Sequence, residues 1–381
     1  MKIIYLANVR IPTEKAHGVQ IMKMCQAFCD LDHQVKLVAA KRINRQFRGI
    51  DVFDYYKIPK KFLVVRLFLL DLVDLPLPIR GIWVFIQNTS FALSSFFYFL
   101  FKKTDLIYSR DEFSLFFLSF LKKNLVLELH TFPGSKFFLY KRVFKKVKKI
   151  VVINSKLKEL VVGLGIKPDK ILVAHDGVDL DQFDIGENKE QARRKLDLPL
   201  DKKLVIYTGQ LFEWKGVYVL AQASQFLDGD CRIVFIGGME KDVKNLEKFI
   251  QKKNLGKISV LGHRPPDLIP LYLKAADLLV LPNSAKEEIS RHWTSPMKMF
   301  EYMASKRPIV ASDLPSLKEI LNDSNAVLVK PDDPKALARG INSYLKKPDL
   351  SAKIVAQALE DVRQYTWTKR AKNIINFIST K

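Results

Sequence analysis

The run Ser295-Pro296-Met297-Lys298-Met299-Phe300-Glu301-Tyr302-Met303-Ala304 has the residue types of a helix that can hold an anion at its start. Serine before proline predicts a helix opening with Ser295 as N-cap and Pro296 at the first helical position. The first turn of such a helix has backbone N–H groups with no intrahelical acceptor, and Met297 and Lys298 supply them. With the helix dipole they make an anion site. Glu301 follows Lys298 by three residues and Met297 by four, so it lies on the same face and can accept hydrogen bonds from hydroxyls beside the anion. A well-capped helix with a solvated glutamate fits the same residues. Three other positions carry comparable chemistry. Lys215, in the loop Gly209 to Gly216, can stabilise charge developing on a phosphate, or it is a surface lysine. His130 follows the apolar run Leu125 to Leu129 and enters a Pro133-Gly134 loop, where it can hydrogen-bond a sugar or phosphate oxygen or serve as a satisfied loop histidine. Gly18, after His17, permits close backbone approach of a ligand or simply a turn.

The elements that must position these residues repeat one plan. Lys2 to Ala7 reads as a buried parallel strand, followed by a loop with Pro12 and Gly18, a helix over Val19 to Leu31 and a strand over Gln34 to Ala40. The plan restarts with a strand over Lys203 to Thr208, a loop over Gly209 to Gly216, a helix over Val217 to Leu227 and a strand over Cys231 to Ile236. Each half therefore opens as a doubly wound α/β domain, whose ligands bind beyond the C-terminal ends of the strands. Two such domains facing across a cleft would place a ligand between them. Strands are expected at Asp105 to Ser109, Leu125 to Leu129, Ile150 to Ile153 and Ile171 to Ala174 in the first half. In the second they are expected at Ile258 to Leu261, Leu278 to Leu281, Ile309 to Ala311 and Val327 to Val329. The polar stretch Asp184 to Asp201 separates the domains, giving spans of 1–185 and 200–365. The chain is helical from Ser351, with a break near Thr366-Trp367-Thr368. Neither opening loop carries G-x-G-x-x-G, which counts against a dinucleotide oxidoreductase.

Composition bounds the partners. The chain has 381 residues, of which 48 % are hydrophobic, and a net charge of +23. That length suits two ordinary domains and that composition excludes a disordered chain. The charge fits an anionic membrane surface, nucleic acid or a phosphorylated substrate, and also a solvated lysine-rich surface. Lys141, Arg142, Lys145, Lys146, Lys148 and Lys149 alternate with Val143, Phe144, Val147 and Ile150, the pattern of a basic amphipathic helix suited to an anionic membrane. A solvated helix face has the same pattern. Ile82 to Phe101 holds no charge, but its serines, Thr89, Gln87 and Asn88 favour a buried or interfacial helix over a membrane span. Cys25, Cys29 and Cys231 are too few and too scattered for a disulfide framework or zinc site and read as reduced thiols. The short apolar N-terminal run lacks the cleavage site of a signal peptide, so a cytoplasmic chain is expected, peripheral on the inner face of the cell membrane.

Taken in order, the motifs resemble the retaining glycosyltransferases of family 4, which have the two-domain GT-B fold. Lys15-Ala16-His17-Gly18-Val19 resembles the glycine-containing first loop, and Leu129-His130-Thr131 the segment of the active-site histidine. Asp176-Gly177-Val178-Asp179 resembles the segment before the linker, and Gly209 to Gly216 the loop that binds diphosphate. Ser295 to Ala304 with Pro308 to Asp313 resembles the glutamate helix and the strand after it. Thr366-Trp367 resembles the C-terminal segment that returns to the first domain, here 366–381. The resemblance implies that Gly18 approaches the donor phosphates, His130 contacts the transferred sugar, Lys215 binds the diphosphate, Met297 and Lys298 donate amides to it and Glu301 binds the ribose hydroxyls. An arginine of the family falls on Gln210, and the first glutamate of its E-x7-E pattern on Trp293, where Arg291 and His292 are neighbours able to compensate.

The implied reaction moves a sugar from a nucleoside-diphosphate sugar to the hydroxyl of a glycan, lipid-linked or other acceptor with retained anomeric configuration. It belongs to polysaccharide or glycolipid assembly at a membrane. No cofactor and no metal are expected, because no D-x-D sits in a cleft loop, and no nucleic-acid partner is expected. Two other readings stand beside it: a non-hydrolysing nucleotide-sugar epimerase of the same fold, and a non-catalytic basic nucleic-acid-binding protein.

Overall fold

The computed structural model describes residues 1–71, 80–132 and 137–380. Pro133 and Gly134, expected in the loop after His130, lie outside the described residues. The chain forms two compact units, Met1–His175 with Trp367–Lys381, and Asp176–Thr366.

In the first unit the strands are β1 (Lys2–Ala7), β2 (Gln34–Ala40), β3 (Leu63–Leu67), β4 (Leu106–Ser109), β5 (Leu125–Leu129), β6 (Lys149–Val152) and β7 (Ile171–Val173). They run parallel in the order β3-β2-β1-β4-β5-β6-β7. The strand order reverses at β1 and β4, where Ile3 lies between Val35 and Leu106. Such a switch point opens a crevice at the C-terminal strand ends. The helices are α1 (Ala16–Cys29), α2 (Val52–Tyr56), α3 (Arg80–Leu100), α4 (Glu112–Leu118), α5 (Phe137–Lys146) and α6 (Ser155–Gly163). Asn154 caps α6 by accepting from the Leu157 amide at 2.9 Å.

In the second unit two short helices, α7 (Leu180–Phe183) and α8 (Lys189–Lys195), precede β8 (Lys203–Thr208). The alternation continues through α9 (Val217–Ala223), β9 (Cys231–Ile236), α10 (Glu240–Lys252), β10 (Ile258–Val260), α11 (Ile269–Ala275), β11 (Leu278–Leu281), α12 (Met297–Ala304), β12 (Ile309–Ser312), α13 (Pro315–Lys318), β13 (Val327–Val329), α14 (Pro334–Leu345) and α15 (Pro348–Val362). The parallel sheet has the order β10-β9-β8-β11-β12-β13. Its near-continuous apolar strands follow from burial on both faces. Leu204, Ile206, Leu279 and Leu281 point into one core with Met299, Phe300 and Tyr302 of α12, whereas Val205, Tyr207, Leu278 and Val280 point into another with Leu220 of α9 and Ile341 of α14.

The last helix, α16 (Trp367–Ser379), belongs to the first unit and packs on α1. The break between α15 and α16 falls where the sequence places it. The units divide at His175/Asp176, not within 184–201. Val178 forms a parallel bridge with Thr366, and Phe183 and Ala192 join the second core. The polar stretch also holds α8, whose buried Arg193 pairs with Asp277 and donates to the Ala275 carbonyl at 2.9 Å. The helix expected at Val19 starts at Ala16, so Gly18 sits in its first turn. β3 was not expected. The uncharged stretch Ile82 to Phe101 is α3, and among the described residues no helix is long and apolar enough to cross a membrane.

Candidate active site

In the second unit the expected residues converge at the C-terminal end of β8. Gly209 follows Thr208 with φ +116°, and Gly216 ends the turn Glu213–Lys215 with φ +74°. A Cβ on Gly216 would lie 1.7 Å from the Pro282 carbonyl oxygen, so only glycine lets this loop cross the exit of β11. The Trp214 carbonyl accepts from the Ser284 amide at 3.0 Å and the Ser290 hydroxyl at 3.2 Å, which fixes the loop from two sides. Burial pulls the Lys215 ammonium down to about 7. Its Nζ lies 3.9 Å from the centre of the Trp214 ring.

Lys298 contributes more than the amide expected of it. Its side chain is buried, with Nζ 3.6 Å above the Tyr207 ring and no hydrogen-bond partner. A Cβ on Gly209 would lie 3.1 Å from that Nζ, so the glycine leaves room for the ammonium. Burial, and then the neighbouring Lys215, push the Lys298 ammonium well below the ordinary lysine value. Burial raises the Glu301 carboxyl to about 7 against the opposing charge of Lys298. Tyr302, one turn beyond Lys298, staples α12 to β8: its hydroxyl accepts from the Thr208 amide at 2.8 Å. Lys215, Lys298 and Glu301 thus form one group, with two ammoniums, one carboxyl and the start of α12.

The start of α12 differs by one residue from the sequence reading. Met297 is its first residue, Pro296 occupies the N-cap, and Ser295 makes no capping bond. Pro296 has φ −74° and an extended ψ of 119°, so the helix begins after it and the serine precedes the N-cap. The Ser295 hydroxyl is buried without a partner, as are the side-chain amide of Asn283 and the Gln210 Oε1. Buried polar atoms in this condition are rare in folded proteins and each calls for an explanation. Met297, not Pro296, is at the first position of the helix. Trp293 ends a π-helical turn, Ile289–Trp293, that also carries Arg291 and His292; its Ser290 carbonyl is held by the Ser316 hydroxyl at 2.6 Å.

In the first unit His130 stands at the end of β5 with Nε2 2.7 Å from Glu128 Oε1. That oxygen also accepts from Gln20 Nε2 at 2.7 Å and from the Arg370 guanidinium of α16 at 2.8 Å. Arg370 further donates to the His175 carbonyl at 2.8 Å, and Arg110 donates to Gln20 Oε1 at 2.9 Å. Burial alone would push the Glu128 carboxyl up, but Arg370, His130 and Arg110 outweigh it and hold the group well below the ordinary carboxylate range. Burial and the charges of Arg110 and Lys15 push His17 down to about 3, so it is neutral near pH 7. Gly18 is buried, and a Cβ there would lie 2.2 Å from the Tyr56 hydroxyl, which bonds the Thr13 backbone. Packing within this unit therefore accounts for that glycine. Sequence reasoning missed Glu128, Arg370, Tyr302 and the Lys298 ammonium. The signal for the first was a charged residue inside the fully buried strand Leu125–Leu129, which requires a partner.

Two parallel α/β units, each with its candidate residues at the C-terminal strand ends, define a two-domain α/β protein of the GT-B class. Residues 17–182 match the model of Glycosyltransferase Family 4 and residues 188–361 that of Glycosyl transferases group 1, so the chain belongs to the family 4, group 1 glycosyltransferases. The chain is 28% identical over 238 residues to TuaC of Bacillus subtilis, named for teichuronic acid biosynthesis, covering 62% of this chain and 57% of that protein. It is 27% identical over 239 residues to a D-inositol 3-phosphate glycosyltransferase of Corynebacterium diphtheriae, covering 59% and 54%. The chain thus spans little more than half the length of these relatives. HepE of Anabaena, solved in complex with UDP-glucose, superposes with a TM-score of 0.78 at 18% identity over 100% of this chain and 99% of that one. At that identity the likeness shows the fold.

Proposed function

We propose that this chain transfers a sugar from a nucleoside-diphosphate sugar to an acceptor hydroxyl with retention of anomeric configuration, in polysaccharide or glycolipid assembly at an anionic membrane face. The observation that carries the reading is the pair Lys215 and Lys298. Two neighbouring lysines with depressed proton affinity, Lys298 buried and Lys215 half-buried, sit beside a helix start and unpartnered polar atoms, and the half-neutral Glu301 carboxyl faces the charge of Lys298. This arrangement is unfavourable alone and becomes favourable when a dianion enters, as the departing diphosphate of a sugar donor does. Met297 and Lys298 would donate amides to that diphosphate and Glu301 would accept from the ribose hydroxyls. Gln210 and Ser295 supply polar atoms for the donor and His130 the contact with the transferred sugar, while Gly18, expected to approach the donor, is accounted for by packing against Tyr56 and Thr13. No step requires a metal or cofactor. HepE was solved with UDP-glucose and TuaC is named for teichuronic acid biosynthesis, which supports the donor class and the assembly role proposed here.

The test is a set of uridine, guanosine and adenosine diphosphate sugars screened by thermal shift, followed by NMR of the product anomer. A donor that binds at a hundred times its Kd raises stability by about 2.7 kcal/mol. Conversion of that sugar nucleotide without an acceptor would identify an epimerase instead, and inversion at the anomeric carbon would remove the retaining assignment. For the membrane placement, α5 and the bend after it supply the observation: Lys141, Lys145, Lys146 and Lys148 are exposed while Val143, Phe144 and Val147 are buried, although the basic helix expected across the whole run ends at Lys146 and Lys149 and Ile150 belong to β6.

A further inference from the structure

The outward face of α3 is apolar along its length. Phe85 is 58 % exposed, Leu93 42 % and Phe97 67 %, and Phe101, just past the helix, is 89 % exposed. Ile82 is exposed on the same stripe, and Ile86, Thr89, Phe96 and Leu100 are partly exposed along it. The opposite face, Gln87, Phe91, Ser95 and Phe99, is buried in the unit. No charged residue occurs from Gly81 to Phe101. An exposed helix face on a globular protein is normally polar, and an exposed apolar patch of this kind marks an interaction surface. At about 1.5 Å per residue the stripe is roughly 30 Å long.

Its surroundings indicate what covers it. Lys102 and Lys103 follow the stripe directly, and the Lys122 ammonium donates to the Lys102 carbonyl at 2.9 Å, so lysines gather at its end. α4 packs between α3 and α5. Just past α4, Phe120, 63 % exposed, lies 3.6 Å under the Arg142 guanidinium of α5. Exposed aromatics along an apolar helix, with cations gathered past its end and on the neighbouring segments, fit the headgroup boundary of an anionic bilayer, where rings enter the acyl region and ammoniums meet lipid phosphates. A net charge of +23 opposes pairing with a second copy and favours an anionic surface.

We propose that α3 lies flat in the interface of an anionic bilayer, with Phe85, Leu93, Phe97 and Phe101 inserted and Lys102, Lys103, Lys122 and Arg142 on the headgroups. This deepens the membrane placement proposed above, because it assigns the contact to an apolar face rather than to the α5 lysines alone. The test is flotation of the full chain with vesicles of phosphatidylglycerol and phosphatidylcholine in equal parts, at low salt and at about 1 M salt, where the Debye length is about 3 Å. The wild type is expected to float at low salt and to retain part of its binding at high salt. Leu93→Glu with Phe97→Glu, and separately Phe101→Glu, should each lower binding about tenfold or more at both salt levels. Melting temperature and nucleotide-sugar binding in lipid-free solution should stay unchanged. Lys102→Gln with Lys103→Gln should lower only the salt-sensitive part. Glutamate variants that melt and float like the wild type would overturn the assignment to α3 and leave the α5 lysines as the membrane contact. Absence of any wild-type flotation would overturn the membrane placement itself, while donor binding continues to report on the transferase reading. A wild type that sediments as a dimer without lipid, with the Phe101→Glu variant a monomer, would show the face to be a self-interface instead.

Discussion

Lys215 carries the most direct consequence at the scale of single residues. In the free protein its ammonium loses its proton near pH 7, and a bound diphosphate would favour the charged form. Affinity for the nucleotide should therefore be fullest below about pH 7 and fall as pH rises above it, by up to about tenfold per pH unit for one proton. Calorimetry at pH 8 in buffers of different ionisation enthalpy should show net proton uptake on binding; uptake of none would remove Lys215 from the anion site. Lys215→Ala is expected to lower kcat about 10²-fold while the melting temperature holds, and a variant at wild-type rate would refute the role. Glu128→Gln removes the carboxylate that neutralises Arg370 and orients His130 inside the first unit. Breaking a buried ion pair by deleting one partner costs about 3–5 kcal/mol, which a denaturant titration would read. Lys215, Glu301 and His130 could be picked out in the sequence as candidates because the first and last lie in segments that follow apolar strands and Glu301 is the one charged side chain in the apolar turn after Lys298. Glu128 was not paired with Arg370 on the page of sequence, since 242 positions separate them and only the return of α16 brings them together.

At the scale of elements, the loop between β8 and α9 rests on Gly216. Gly216→Ala must move the Pro282 carbonyl or abandon φ +74°, and either displaces Lys215. A loss of about 1–3 kcal/mol is expected, together with weakened nucleotide binding; a variant that binds nucleotide normally would show the loop to be tolerant. The strands of the second unit were readable almost residue for residue, because burial on both faces makes the central ones short continuous apolar runs and the edge strands β10 and β13 are short, mostly apolar segments between polar stretches. β3 was not readable. It is an edge strand with no fully buried residue, Leu63 and Arg66 exposed and the others half-buried, so it lacks both the alternation and the buried run that mark a strand, and its apolar residues run on past Leu67 without a turn signal. The start of α12 shifted by one residue because proline satisfies either side of a helix boundary, and sequence alone does not say which.

At the scale of the molecule, the first unit is built from two separated pieces of chain. Ala371, Ile374 and Ile378 of α16 are buried, and Arg370 completes the Glu128 network. A chain ending at Thr366 is expected to retain a cooperative transition for 176–366 and to lose protection of α1 and β5 in hydrogen exchange. Equal protection in the truncated and full chains would show α16 to be dispensable. The domain pattern was visible in the repeated strand-loop-helix plan, whereas the division at His175/Asp176 depends on the bridge from Val178 to Thr366, a pairing that periodicity does not encode.

That discontinuity also sets an order of events during synthesis. Residues 176–366 emerge as one uninterrupted stretch and hold everything their own sheet needs. The residues made first must wait, with α1 uncovered and the Glu128 carboxylate short of its guanidinium, until 367–379 have left the ribosome. Domains usually mature from the N-terminus onward; here the middle of the chain is able to close before the beginning does.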